Sequence, residues 1–217
     1  MPTRNLTLIH RLAKLYTPVV ADVLDRIGFR NQSLASRIRP LWPEARAAGF
    51  ALTVQTVPAQ KQDPDHPYAG ELAAVDSLQS GDMLVVSESA CSFWGELLST
   101  AAKYRDCRGV ILDGPTRDSQ AILAMGFPVF HAGFHPADSL GRLDVVNHNV
   151  PIECGGVLVY PGDLMLADHD GVVCVPSAAA EETLRLAEEK VSGENLVRKA
   201  LAEGMSTTEA FAKFGIL

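Results

Sequence analysis

The strongest constraint on the fold is the alternation of short apolar runs with amphipathic segments between Gly81 and His131. Met83 to Val86 and Gly109 to Leu112 are apolar throughout, as strands buried on both faces are, and Pro128 to His131 reads as a third strand. Between them, Gly95 to Tyr104 reads as a helix with Leu97, Leu98, Ala101 and Ala102 on its apolar side. Ser119 to Met125 reads as a second helix, closed by Gly126. Strands that alternate with helices in this way form parallel βαβ units.

The flanking segments are more mixed. Leu6, Ile9, Leu12, Ala13 and Tyr16 fall at helical spacing. Thr17-Pro18 looks like an N-cap followed by proline at the first helical position, opening a helix over about Val19 to Ile27 that stops at Gly28. Arg46 to Val57 reads as a strand and Gly70 to Leu78 as a short helix. Beyond the βαβ region, Leu143 to Asn149, Ile152 to Val159, Leu164 to Ala167 and Val172 to Val175 read as strands. Pro161-Gly162-Asp163 and Asp168-His169-Asp170-Gly171 supply turns. A long charged helix is expected over about Ala178 to Ala202, then a short one near Thr208 to Phe214. With 217 residues and no linker or repeat, one α/β domain over 1–217 is expected.

Charge and cysteine usage narrow the function. A net charge of -7 argues against broad binding to nucleic acid or an anionic membrane. No apolar run approaches the roughly 20 residues that span a bilayer. Met1 to Lys14 carries Arg4, His10, Arg11 and Lys14 without an apolar core, so no signal peptide is expected. The four cysteines are scattered, which fits reduced thiols in a cytoplasmic protein.

The richest chemistry lies between Phe93 and Asp118. Twenty residues separate Glu96 from Arg117. A helix leading away and a strand leading back return both to one edge of the sheet, beyond the carboxyl ends of the strands, where open α/β sheets bind ligands. Arg117 could grip a keto acid or neutralise an enolate oxygen. Asp118 reads equally as a helix N-cap and as a ligand for a hard cation; a cation that keeps its waters needs only one or two carboxylates, so Asp118 with a water-bridged, catalytic Glu96 would be enough. The amides of Gly95 to Leu98 open a helix and could bind a carboxylate. Singly, each residue has a plain alternative: Arg117 as a surface ion pair, Glu96 as a first-turn acid, Asp113-Gly114 as a turn. Asp168-His169-Asp170 reads as a tight turn rather than a ligand set. His131 and His135 flank a loop, so no zinc site is read from them.

Together, Gly95-Glu96, Arg117-Asp118 twenty residues on, and the preceding Asp113-Gly114 resemble the signature of the RraA-like family. That family includes 4-hydroxy-4-methyl-2-oxoglutarate and 4-carboxy-4-hydroxy-2-oxoadipate aldolases and the regulator of ribonuclease E activity. The likeness extends to Asp22 in its helix, to Ala48 to Val54, and to Pro161 through Val172. It implies an αββα sandwich of the swivelling β/β/α, phosphohistidine-domain-like kind. It implies a homotrimer or hexamer with sites at subunit interfaces, and C-terminal helices from about 178 packed on a neighbour. It implies a class II pyruvate aldolase, a lyase using Mg²⁺ or Mn²⁺. By the resemblance, Asp118 would bind the metal, Arg117 the pyruvyl oxygen, and Gly95, Glu96, Leu97 and Leu98 the substrate. Glu194 matches an acid that a neighbouring subunit lends to catalysis. Glu96 replaces the aldolases' usual Asp, and Ala121 stands where many carry an acid, which puts the substrate in question.

The expected reaction is retro-aldol cleavage of a 4-hydroxy-2-keto acid to pyruvate, with oxaloacetate decarboxylation as a side activity through the same enolate. The rival reading is a non-catalytic regulator that binds an endoribonuclease. A menaquinone methyltransferase is not supported, because no glycine-rich cofactor loop follows a first strand.

Overall fold

In a computed structural model the described residues are 5–59 and 67–215. Residues 1–4, which open the basic N-terminal stretch, lie outside them. The chain opens with α1 (Leu6–Leu12) and α2 (Thr17–Arg26), followed by the two-residue β1 (Arg39–Pro40) and the long β2 (Ala47–Pro58). Then α3 (Ala69–Asp76), β3 (Asp82–Val86), α4 (Glu96–Tyr104), β4 (Gly109–Leu112), α5 (Ser119–Met125) and β5 (Val129–His131) form the alternating region. The β-rich part comprises β6 (Leu143–His148), β7 (Ile152–Cys154), β8 (Val157–Val159), β9 (Leu164–Ala167) and β10 (Val172–Val175). A 3-10 turn leads into α6 (Ala180–Ala202), and α7 (Thr207–Phe214) follows.

Strands β2, β3, β4 and β5 are parallel neighbours, as the βαβ pattern predicts. The main sheet runs β1-β5-β4-β3-β2-β9-β10. The free side of β2 is shared: its first half pairs antiparallel with β9 and its second half with β6, with a register shift at Gln55/Thr56 between β2 and β6.

The alternation of side chains along these strands builds three buried clusters. Leu84 and Val86 of β3 face α3, α4 and α5, whereas Met83 and Val85 face the β7–β8 hairpin. In β9, Leu164 and Leu166 pack under α1, α2 and α6, while Met165 and Ala167 point inward. The layers therefore run helix, sheet, sheet, helix, in the α/β class and sandwich order the resemblance implies. No described helix is long and apolar enough to cross a membrane.

Three local expectations change. Ile152 to Val159 is not one strand but a hairpin, because Gly155 and Gly156 both take positive φ (57° and 78°) and turn the chain. Tyr16, not Thr17, holds the N-cap position of α2, without a side-chain bond. Thr17 instead gives its N–H and its hydroxyl to the buried Asp168 at 2.9 and 2.6 Å, tying α2 to the β9–β10 turn. Leu97 is 79% exposed rather than on the buried face of α4. Asp168-His169-Asp170 is the tight turn of the β9–β10 hairpin, closed by Asp168 N–H on the Gly171 carbonyl. All four cysteines are free and buried.

Candidate functional site

The loops after β3, β4 and β5 stay together past the ends of their strands. Trp94 bridges Thr116, and Thr116 bridges Phe134, in parallel register. The Arg117 N–H donates to the Trp94 carbonyl at 3.0 Å. This three-loop ladder sets Gly95 and the start of α4 against Arg117 and Asp118.

The contact there is tight. A Cβ on Gly95 would stand 2.5 Å from Asp118 Oδ2, so only glycine leaves room for that carboxylate. Asp118 sits at the N-cap position of α5 in the left-handed region (φ 56°) yet makes no cap bond to its own helix. Its Oδ2 instead accepts the Glu96 N–H at 3.1 Å, so it caps the neighbouring helix α4. The first-turn amides of Leu97 and Leu98 have no described acceptor and stay available to an anion. The Glu96 side chain lies along its own helix, accepting from Thr100 Oγ1 at 2.9 Å, and does not line the cavity.

Arg117 is bracketed rather than bound. Its nearest carboxylate oxygens, on Asp118 and Asp138, are both 3.8 Å away. The guanidinium fork, about two-fifths exposed, can therefore take up a ligand carboxylate or keto oxygen. Asp138 is itself held by the Tyr68 hydroxyl on the oxygen that faces Arg117 (2.7 Å) and by Arg142 on the other oxygen (3.3 Å). Gly95, Leu97, Leu98, Arg117, Asp118 and Asp138 share a cavity of about 60 Å³. Two of the non-glycine residues with positive φ, Tyr68 (66°) and Asp118, belong to it. Such strain costs on the order of 1 kcal/mol or more and collects at functional sites.

Among the described residues no three His, Cys, Asp or Glu side chains converge as a metal cage. A cation at Asp118 would thus be held by one protein carboxylate and waters. That donor set is all oxygen and fits Mg²⁺, which dehydrates reluctantly, better than zinc. Ala121 is exposed on α5 and outside the cavity. Glu194 lies on α6, which packs on α1 and α2; there it accepts from the Tyr16 hydroxyl and faces Lys190. Within one chain it does not join the Arg117–Asp118 cluster.

A larger cleft of about 850 Å³ lies beyond Asp138, lined by Arg37, Asp113, His135 and Arg142 among others. It holds neither Arg117 nor Asp118, and its one buried carboxylate is committed: Asp113 accepts from Arg37 at 2.6 Å and from the Gly155 N–H at 2.8 Å. The small cavity, with its free fork and free amides, is the better chemical site.

Sequence reasoning missed Glu71, Tyr68, Asp138 and Ser139. Burial raises the Glu71 carboxyl to about 7; the Ser139 hydrogen bond opposes this, the Asp138 charge adds to it and Arg117 opposes it. The Tyr68 phenol is also raised, first by its hydrogen bond to Asp138. No local motif marks these residues.

Residues 17–174 match the RraA-like family, described as Aldolase/RraA. A protein of Halalkalibacterium halodurans named "Putative 4-hydroxy-4-methyl-2-oxoglutarate aldolase" is 30% identical, over 97% of this chain and 96% of its own length. Protein DlpA of Legionella pneumophila is 26% identical over 94% of this chain, which spans only 33% of DlpA. Among solved structures, Streptomyces coelicolor RraAS2, described as an unusual member of the RNase ES inhibitor RraA protein family, superposes with a TM-score of 0.81 at 28% identity. That match covers 91% of this chain and 99% of RraAS2.

Proposed function

The chain belongs to the RraA-like family, and from that premise we propose that it is a divalent-metal-dependent aldolase. It cleaves a 4-hydroxy-2-keto acid of the 4-hydroxy-4-methyl-2-oxoglutarate type to pyruvate, and decarboxylates oxaloacetate as a side activity. The observation that carries this reading is the meeting of the Arg117 fork, the Asp118 carboxylate and two free helix amides around one cavity.

The Leu97 and Leu98 amides, at the positive end of α4, bind the substrate carboxylate. Arg117 meets the 2-keto oxygen, where negative charge grows as the C3–C4 bond breaks. Asp118 holds the cation, Mg²⁺ or Mn²⁺, and capping α4 fixes the direction of its carboxylate. When bound, the cation supplies Lewis-acid polarisation of the keto oxygen. A trimer or hexamer in the cytoplasm, with Glu194 lent by a neighbouring subunit, belongs to the same proposal.

The test is a coupled pyruvate assay on oxaloacetate with Mg²⁺. Asp118→Ala and EDTA should each abolish turnover, and Arg117→Ala should lower it on the order of a hundredfold or more. Full activity in any of the three would sink the assignment. The likeness to RraAS2 favours a second reading, a regulator that binds an endoribonuclease. Capture of such a nuclease together with no metal-dependent turnover would select it.

A further inference from the structure

One carboxyl in the cavity has no part in the scheme above. Glu71 stands in the first turn of α3 and is 9% exposed. Its Oε2 accepts from Ser139 Oγ at 2.7 Å. Close packing fixes its place: a Cβ on Gly70 would lie 2.6 Å from the Val145 carbonyl, so α3 rests directly on β6. On the other side Tyr68 anchors the helix start through its hydrogen bond to Asp138, which also faces Arg117. Glu71 therefore looks onto the space beside the guanidinium that grips the keto acid.

A buried first-turn carboxyl beside a hydroxyl can be purely structural. Ser139, however, would be satisfied equally by a glutamine carbonyl, without the cost of burying an ionisable group. The position carries a proton-exchanging group where an amide would pack as well.

Resting on the aldolase reading, we propose that Glu71 is the catalytic residue that carries the proton in aldol cleavage, taking it from the C4 hydroxyl and delivering it to C3. The O–H electron pair becomes the new carbonyl π bond at C4. The C3–C4 pair moves between C3 and C2, and the C2 oxygen takes the charge as the pyruvate enolate. Glu71 then gives its proton to C3, and the methyl group of pyruvate forms. The proton that leaves oxygen is the one that arrives on carbon, so no further acid or base is consumed. A carboxyl poised near neutrality can both accept and return it.

Two reactions of the Mg²⁺-loaded protein separate this role from packing. Exchange of the pyruvate methyl protons in D₂O, followed by proton NMR, needs a group that moves protons at C3. Oxaloacetate decarboxylation, followed by loss of oxaloacetate absorbance, reaches the same enolate by releasing CO₂ and needs no such group to break its bond. Glu71→Gln should slow exchange on the order of a hundredfold and slow decarboxylation far less, so the ratio of the two rates collapses. Equal loss of both would show a packing role and overturn the proposal, as would undiminished exchange. Wild-type protein that performs neither reaction would overturn the aldolase reading itself, and this proposal with it. Wild-type protein that decarboxylates but exchanges no pyruvate proton would overturn the proposal alone.

Discussion

Replacing Glu71 by glutamine should make the protein more stable, by a margin that grows between about pH 4.5 and 7 and is constant above. In the folded chain burial holds this carboxyl at about 7, against 4.5 for the ordinary group. The folded state therefore prefers the protonated form, by about 3 kcal/mol at 1.36 kcal/mol per pKa unit. The sign follows from linkage. A raised carboxyl gives stability that is complete below about 4.5 and is lost as pH climbs through about 7. Glutamine keeps the shape and can still accept from Ser139, but it has no charge to bury. The variant should exceed wild type by less than about 1 kcal/mol at pH 5 and by about 3 kcal/mol at pH 8. For a chain of this size the latter is roughly 6–12 °C in Tm. Thermal unfolding by circular dichroism at pH 5, 6, 7 and 8 reads the difference. EDTA keeps any cation at Asp118 from adding its field, and a fixed protein concentration removes mass-action effects. All other titrating groups are common to both proteins and cancel. A Tm difference that stays constant across this range would refute the reasoning, because it would mean that Glu71 titrates alike in the folded and unfolded chains. Higher stability coupled to lost proton exchange is the expected mark of a group kept for chemistry at the expense of packing.

Two further changes probe the frame around the site. Gly95→Ala pushes a methyl group to within 2.5 Å of Asp118 Oδ2, so the carboxylate must swing away from its place over α4. Oxaloacetate decarboxylation should fall on the order of a hundredfold through misplacement, while circular dichroism stays native in shape. Asp168→Ala removes the acceptor of the Thr17 N–H and hydroxyl and of the Asp170 N–H. Leaving buried donors unpaired should cost about 3 kcal/mol, read as a lower urea midpoint with the slope unchanged.

The parts of the fold that were legible in sequence are those where burial on both faces leaves a continuous apolar run. Strands β3 and β4 show this, because helices cover one face and the β7–β8 hairpin the other. The same rule misled at Ile152 to Val159, where two buried strands flank Gly155-Gly156 and read as one run although paired glycines mark a hairpin turn. Leu97 misled in the opposite sense: helical spacing marks a face as apolar but cannot say that the face is covered, and this one opens on the cavity and solvent. The nearness of Gly95 to Arg117-Asp118 was legible because βαβ geometry returns the chain to one edge, and glycine was needed where the carboxylate meets α4. Glu71 had no such local sign. An acid in the first turn of a helix is what the macrodipole favours on any surface. What changes its chemistry is Ser139, 68 positions away, the β6 backbone under Gly70, and an Asp138 that Tyr68 and Arg142 hold in place. Spacing can place a residue at an edge, but a pKa is set by what tertiary packing removes from water. The metal and anion half of the site can thus be read as a motif, while the proton-transfer half emerges only once the chain is folded.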